Sequence, residues 1–167
     1  MNTSAYNELV NEHADGLYRF ILKNIKDESE AQDVVQDAFE KLWINKDKVE
    51  LKKAKSWLFS TAYHTMIDNI RKVKRIDTLD EYHEEKHFYA DEYMGTGDLL
   101  EKGLNKLPAI QKSVVLLRDY EGYSYDEIAE ITQLNVGQVK VYIHRARTFM
   151  RNFIEKMENY SYGNKRI

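Results

Sequence analysis

Apolar residues recur at steps of three and four through most of this chain, and a single proline, Pro108, interrupts its 167 residues. That spacing puts the apolar groups on one side of successive α-helices, and so little proline leaves long helices unbroken. The expected fold class is all-α. A first helix is expected from about Ala5 to Asn24, burying Leu9, Val10, Leu17, Phe20 and Ile21. A second begins at a capping-box pattern, Ser29 with Gln32, and carries Ala31, Val34, Val35, Ala38, Phe39, Leu42 and Trp43 on one stripe. Its opposite face holds Asp33, Gln36, Asp37 and Glu40.

After a polar stretch from Asn45 to Lys53, a third helix runs from about Lys55 to Arg75 with two stripes. Phe59, Ala62, Met66, Ile70 and Val73 form the inward one. Trp57, Thr61, His64, Asp68, Arg71 and Arg75 form another, largely opposite. A helix that only packs has no need of an aromatic among bases. Trp57 itself has two readings, a core residue or a surface for an unstacked base, because tryptophans are usually well buried.

From about Ile76 to Gly97 no period is sustained, and acidic residues with Gly95 and Gly97 read as a flexible acidic linker. Asp98 and Glu101 suit the start of a new helix, and Pro108 suits the first turn of the next, which stops at Gly122. Ser124 and Glu127 form another capping box ahead of Ile128, Ala129 and Ile131. Gln133-Leu134-Asn135 then makes a turn, and Asn135 caps a last helix with Val139, Ile143, Ala146, Met150 and Phe153 inward. A short helix, a three-residue turn and a longer basic helix describe a helix-turn-helix, whose second helix enters the DNA major groove.

The charge distribution agrees. The net charge is −3, but Lys52 to Arg75 holds seven bases and one acid. Asp77 to Glu101 holds nine acids and one base, and Val136 to Lys156 five bases and one acid. Two basic regions therefore straddle an acidic one, a pattern that bears on partners more than the total does. Zero cysteines exclude disulfides and thiolate metal sites. No apolar run reaches the roughly 18 residues of a membrane span, and Met1 to Glu8 lacks signal-peptide regions, so a cytoplasmic location is expected. His83 and His87 lie four apart among acids, but no second ligand pair follows, and no metal or cofactor is expected. No nucleophile–base pair or phosphate loop is evident, so no catalytic residue is assigned.

Together these residues resemble the extracytoplasmic-function sigma factors of bacterial RNA polymerase. The carboxy-terminal likeness lies in Leu107-Pro108, Gln111, Val114, Leu117-Arg118, Glu121-Gly122, Ser124, Glu127-Ile128-Ala129, Gly137, Val139-Lys140 and Arg145-Ala146-Arg147. Upstream, Glu30 to Phe39 stands where the family has its polymerase-binding helix. Trp57-Leu58, Ala62, Ile67-Asp68 and Arg71-Lys72 stand in its promoter-melting helix. The chain departs from the family's common residues at Tyr63, His64, Gln138, Val141 and Tyr142, positions that bear on promoter sequence.

The resemblance implies a polymerase- and minus-ten-binding domain over residues 1–76, a linker over 77–97, a minus-thirty-five-binding domain over 98–160 and a tail over 161–167. It implies contact with core polymerase by Asp33, Gln36, Asp37 and Glu40. It implies minus-ten DNA contact by Lys52, Lys53, Trp57, Thr61, His64, Arg71, Lys72 and Arg75. Minus-thirty-five contact falls to Gln138, Lys140, Val141, His144, Arg145 and Arg147. The implied partners are core RNA polymerase, promoter DNA and, as in many members, an anti-sigma factor, with no membrane insertion. A stand-alone helix-turn-helix regulator, or a scaffold that sequesters a partner, are the rival readings. The first needs no melting helix, and the second leaves the basic last helix unexplained.

Overall fold

Helix starts and stops in this chain are set by a few capping side chains. The computed structural model describes residues 1–79 and 96–164, with no strand among the described residues. Helix α1 (Thr3–Ile25) begins where Asn2 Oδ1 accepts from the Ala5 amide at 2.8 Å. It ends at Lys26, whose amide still donates to the Leu22 carbonyl and whose left-handed φ of 57° turns the chain out of the helix. Helix α2 (Glu28–Ile44) is capped by Asp27, whose Oδ1 accepts from the Glu30 amide at 3.0 Å. The expected cap at Ser29 is displaced by two residues. A carboxylate at the N-cap satisfies a free amide and also complements the helix dipole, so the aspartate prevails and Ser29 falls inside the first turn.

A 3₁₀ turn (Leu51–Lys53) leads directly into α3 (Ala54–Leu79). Helices α1, α2 and α3 close around Leu17, Phe20, Ile21, Val34, Ala38, Leu42, Leu58, Phe59 and Met66, all fully or almost fully buried. The inward stripe of α3 holds through Phe59, Ala62 and Met66. It then runs off the core, because α3 outreaches its neighbours: Ile70 is half-buried and Val73 is exposed.

The second unit comprises α4 (Thr96–Lys106), α5 (Ala109–Val115), a π-helical turn (Leu116–Tyr120), α6 (Tyr125–Thr132) and α7 (Val136–Asn164). Pro108 occupies the N-cap of α5, one residue before the expected first turn. Gly103 lies where α4 meets α7: a Cβ there would fall 2.8 Å from Met150 Cε and 2.9 Å from Phe153 Cδ1. The close approach accounts for a glycine inside a helix, where it costs about 1 kcal/mol relative to alanine. Gly122, at φ 76°, ends the π turn in the left-handed region that glycine tolerates best. Ser124 and Glu127 form the expected capping box of α6.

The two units lie against each other, and their buried residues make one continuous cluster. Phe59 of α3 meets Tyr123, edge to face, at 5.2 Å between ring centres. The Lys112 ammonium is buried, donating to the Asn24 carbonyl at 3.2 Å and to Asn105 Oδ1 at 3.0 Å. Burial, with Lys26 nearby, draws its pKa down to about 8 against the opposing pull of Glu101. The expected linker over 77–97 lies largely outside the described residues, as do His83, His87 and the last three residues of the tail.

Candidate nucleic-acid interface

Three surfaces carry the residues singled out in the sequence. The first is the outer face of α2. Because Ala31, Val34, Val35, Ala38 and Leu42 turn inward, Asp33, Gln36 and Glu40 are exposed and Asp37 is half-exposed. Asp37 pairs with Lys41 one turn on, at 2.8 Å. This row of three carboxylates and Gln36 lies off the core, on the solvent side of the helix.

The second surface belongs to α3. Trp57, Thr61 and His64 follow each other along one side of the helix and line an open cleft of about 540 Å³. Lys53 enters it from the preceding turn, and Glu130 of α6 and Gln133, its C-cap, reach it from the second unit. Trp57 is half-buried and packs against the core while also lining the cleft, so it combines the two readings that its sequence position allowed. Two hydrogen bonds fix this stretch. Thr61 Oγ1 donates to the Trp57 carbonyl at 2.8 Å, and the His64 Nδ1 lies 2.7 Å from the Ser60 carbonyl. Lys52 is exposed on the 3₁₀ turn. Farther along α3, past the core, Arg71, Lys72 and Arg75 are exposed, so the stripe runs from an aromatic cleft to a basic end. The structure thus brings Lys53, Trp57, Thr61 and His64 into one site and sets the distal bases apart from it.

The third surface is the start of α7, held by a reciprocal pair of bonds. Asn135 Oδ1 accepts from the Gln138 amide at 2.8 Å, and Gln138 Oε1 accepts from the Asn135 amide at 3.0 Å. Gln138 therefore braces the helix start through its side-chain oxygen, while its exposed amide group keeps its N–H donors. The spacing Asn135-x-x-Gln138 carries the signal of this second box, although only the asparagine half is evident from turn chemistry alone. Lys140, Val141, His144 and Arg145 are exposed, with Val139, Ile143 and Ala146 holding the inward side. The Lys140 ammonium lies 5.6 Å from the Tyr125 ring centre, which orients it beside α6. Arg147 is engaged by Asp119 through two hydrogen bonds, the Nε one at 3.0 Å, and these bonds raise its already high pKa further. The arrangement sets exposed polar, apolar and basic side chains together at the start of the longer helix of a helix-turn-helix. The residues that sequence reasoning did not single out here are Lys41, Glu130 and Gln133. Lys41 reaches the α3 cleft from α2, and Glu130 and Gln133 reach it through the packing of α6 over α3.

Comparison with known proteins agrees with this geometry. Residues 9–76 match the family described as Sigma-70 region 2, and residues 98–150 match Sigma-70, region 4. The chain is 32% identical over 147 residues to the RNA polymerase sigma factor SigV of Bacillus subtilis, covering 85% of this chain and 86% of that one. It is 29% identical to the ECF RNA polymerase sigma factor SigW of the same organism, over 88% and 87% of the two chains. Among solved structures, the sigma factor RpoE of Bartonella quintana, in complex with the anti-sigma factor NepR, superposes with a TM-score of 0.74 at 25% identity. That match spans 90% of this chain and 96% of the other. The fold of CnrH, solved with the cytosolic domain of CnrY, is also similar, with a TM-score of 0.70 over 93% and 90% of the chains at 24% identity.

Proposed function

Because this chain belongs to the sigma factors of the extracytoplasmic-function type, which direct bacterial core RNA polymerase to promoters, we propose a division of that work among its three surfaces. Asp33, Gln36, Asp37 and Glu40 on α2 dock on core polymerase. Lys52, Lys53, Trp57, Thr61, His64, Arg71, Lys72 and Arg75 hold the opened minus-ten strand. Lys140, Val141 and His144 read minus-thirty-five base edges, and Arg145 contacts phosphate. Gln138 sets the position of the reading helix, and Arg147, through Asp119, braces it. In this reading residues 1–76 and 98–160 are the two working domains, 77–97 their linker and 161–167 a tail.

The observation that carries the reading is the composition of the α3 stripe. A half-buried tryptophan in a cleft, followed on the same helix by exposed bases, suits single-stranded DNA, where aromatics stack on unpaired bases and cations follow phosphates. A duplex-binding regulator gains nothing from such a stripe. The chain performs no bond-making step of its own in this reading, since chemistry belongs to the polymerase. It works in the cytoplasm, where core polymerase is found, and no helix among the described residues is long and apolar enough to cross a membrane. The Bartonella neighbour's anti-sigma partner supports an equivalent partner here.

The assignment within α7 has a direct test. Exchanging Lys140, Val141 and His144 together for the residues of another family member will move the minus-thirty-five preference in a selection from random upstream DNA. Each good base contact is worth about 1–3 kcal/mol of discrimination. Gln138→Ala, in contrast, removes half of the box at the start of α7. It will weaken binding to all upstream sequences alike, through about 1 kcal/mol of helix stability, and leave the selected motif unchanged. The same motif from the triple exchange would mean that other residues read the bases.

A further inference from the structure

Along the cleft side of α3, the polar side chains spend their hydrogens on the helix itself. Trp57, Thr61, His64 and Asp68 fall within about 60° of one another around the axis, and all four line the cleft. Thr61 Oγ1 donates to the Trp57 carbonyl at 2.8 Å, so toward the cleft that oxygen offers lone pairs. His64 is held in the same sense. Its Nδ1 lies 2.7 Å from the Ser60 carbonyl, with Ser60 Oγ at 3.3 Å, and a carbonyl can only accept. Nδ1 therefore carries the hydrogen of the neutral ring, and Nε2 is left as an acceptor. The buried Tyr63 ring meets the imidazole edge to face, at 5.2 Å between centres, and fixes its tilt. Asp68, exposed one turn farther on, carries a carboxylate that accepts only. The cleft's cations come from other elements, Lys41 from α2 and Lys53 from the 3₁₀ turn. On α3 itself, an aromatic is followed by three acceptors in a row.

Such a row discriminates among bases. At position 6 of a purine or 4 of a pyrimidine, adenine and cytosine present an amino group, whereas guanine and thymine present a keto oxygen. An amino group donates to the row. A keto oxygen set against it leaves lone pairs facing lone pairs, with no donor for either. We propose that His64 Nε2, flanked by Thr61 and Asp68, selects one base of the opened minus-ten strand by that amino group, taking adenine or cytosine and rejecting guanine and thymine. This selection rests on the reading of α3 as the strand-holding surface and deepens it by naming the bases held. Trp57 and His64 are seven positions apart, about 10 Å along the axis, so the base on the tryptophan and the base at the imidazole are different members of one strand. Because His64 departs from the family's common residue, the selected base is a property of this chain.

The test begins with the natural chain. Long-range nitrogen NMR at about pH 8, above the ordinary imidazole range, will find the His64 hydrogen on Nδ1, the signal being assigned by its loss in His64→Gln. A hydrogen on Nε2 overturns the proposal. Holoenzyme assembled from core polymerase and the chain then selects from promoters randomised across the minus-ten element, and one position will return adenine or cytosine. Replacing that base in the opened strand by its keto counterpart, hypoxanthine for adenine or uracil for cytosine, will cost open complex about fivefold to a hundredfold. His64→Arg, a donor that cannot accept, will move that one position toward guanine or thymine and leave the minus-thirty-five preference as it was. His64→Gln, which can do both, will relax it. Keto analogues that cost nothing at any selected position, or a motif that neither variant alters, refute the assignment to His64 while leaving α3 as the strand-holding surface. A natural holoenzyme with no minus-ten preference at all refutes the reading of α3, and the proposal with it.

Discussion

A chain carrying Arg71→Ala and Lys72→Ala will bind core polymerase and minus-thirty-five duplex as the natural chain does, yet will open promoters poorly. Both residues are exposed near the far end of α3, beyond the point where its apolar stripe leaves the core, so the fold has no stake in them. Trp57 and Arg71 are 14 positions apart, close to four helical turns, so one side of α3 offers a stacking end and a phosphate end about 20 Å apart. Two charge-assisted contacts to phosphate at about 1.5 kcal/mol each amount to roughly a hundredfold loss of open complex. Permanganate reactivity of unpaired thymines measures that loss directly. The salt dependence of strand holding should become shallower by about 1.4 in logarithmic slope, because two phosphate contacts have gone. A template with a pre-melted bubble will recover much of the transcription, since the strands no longer have to be parted. Duplex promoters melted at the natural rate would remove α3 from the mechanism and favour a stand-alone regulator.

The second large effect is expected on α2. Reversing Asp33 and Asp37 to lysine will cost core-polymerase binding about a hundredfold or more, taking about 1.5 kcal/mol as the low end for each close charge pair across an interface. The helix itself will barely notice. Asp33 is exposed, and the Asp37–Lys41 pair is solvent-facing at 2.8 Å, a type worth about 0.3–0.5 kcal/mol. A pull-down against core enzyme, with circular dichroism as the control on folding, separates the two effects. Undiminished binding would make this row of carboxylates a solvated helix face and nothing more.

The sequence discloses those parts of the protein that depend on neighbours a few residues away. Helical period exposes the inward stripes of α1 and α7 and that of α2 as far as Leu42, Trp43 being exposed, and the Ser124–Glu127 box marks the start of α6, because these features are local. Where two local signals compete, pattern alone is a poor judge. Asp27 and Ser29 both suit an N-cap, and the choice falls to the one that also meets the helix dipole. Gln138 illustrates the same limit at the site: turn chemistry marks Asn135 as the cap, but not that Gln138 Oε1 accepts from the Asn135 amide. What lies beyond local reach is the closing of one unit on the other. Arg19 and Glu121 are 102 residues apart, and nothing near either foretells the pairing. The presence of Glu130 in the lining of the α3 cleft depends on that packing.

The claim that this chain is a promoter-directing subunit is tested most directly by run-off transcription with purified core polymerase, with and without the chain, on a library of genomic fragments from its own source. Transcripts will depend on the chain and begin a fixed distance below a shared two-part motif, one part read by α7 and the other by α3. Core polymerase that binds the chain yet yields no such transcripts, or transcripts with no motif in common, would contradict it.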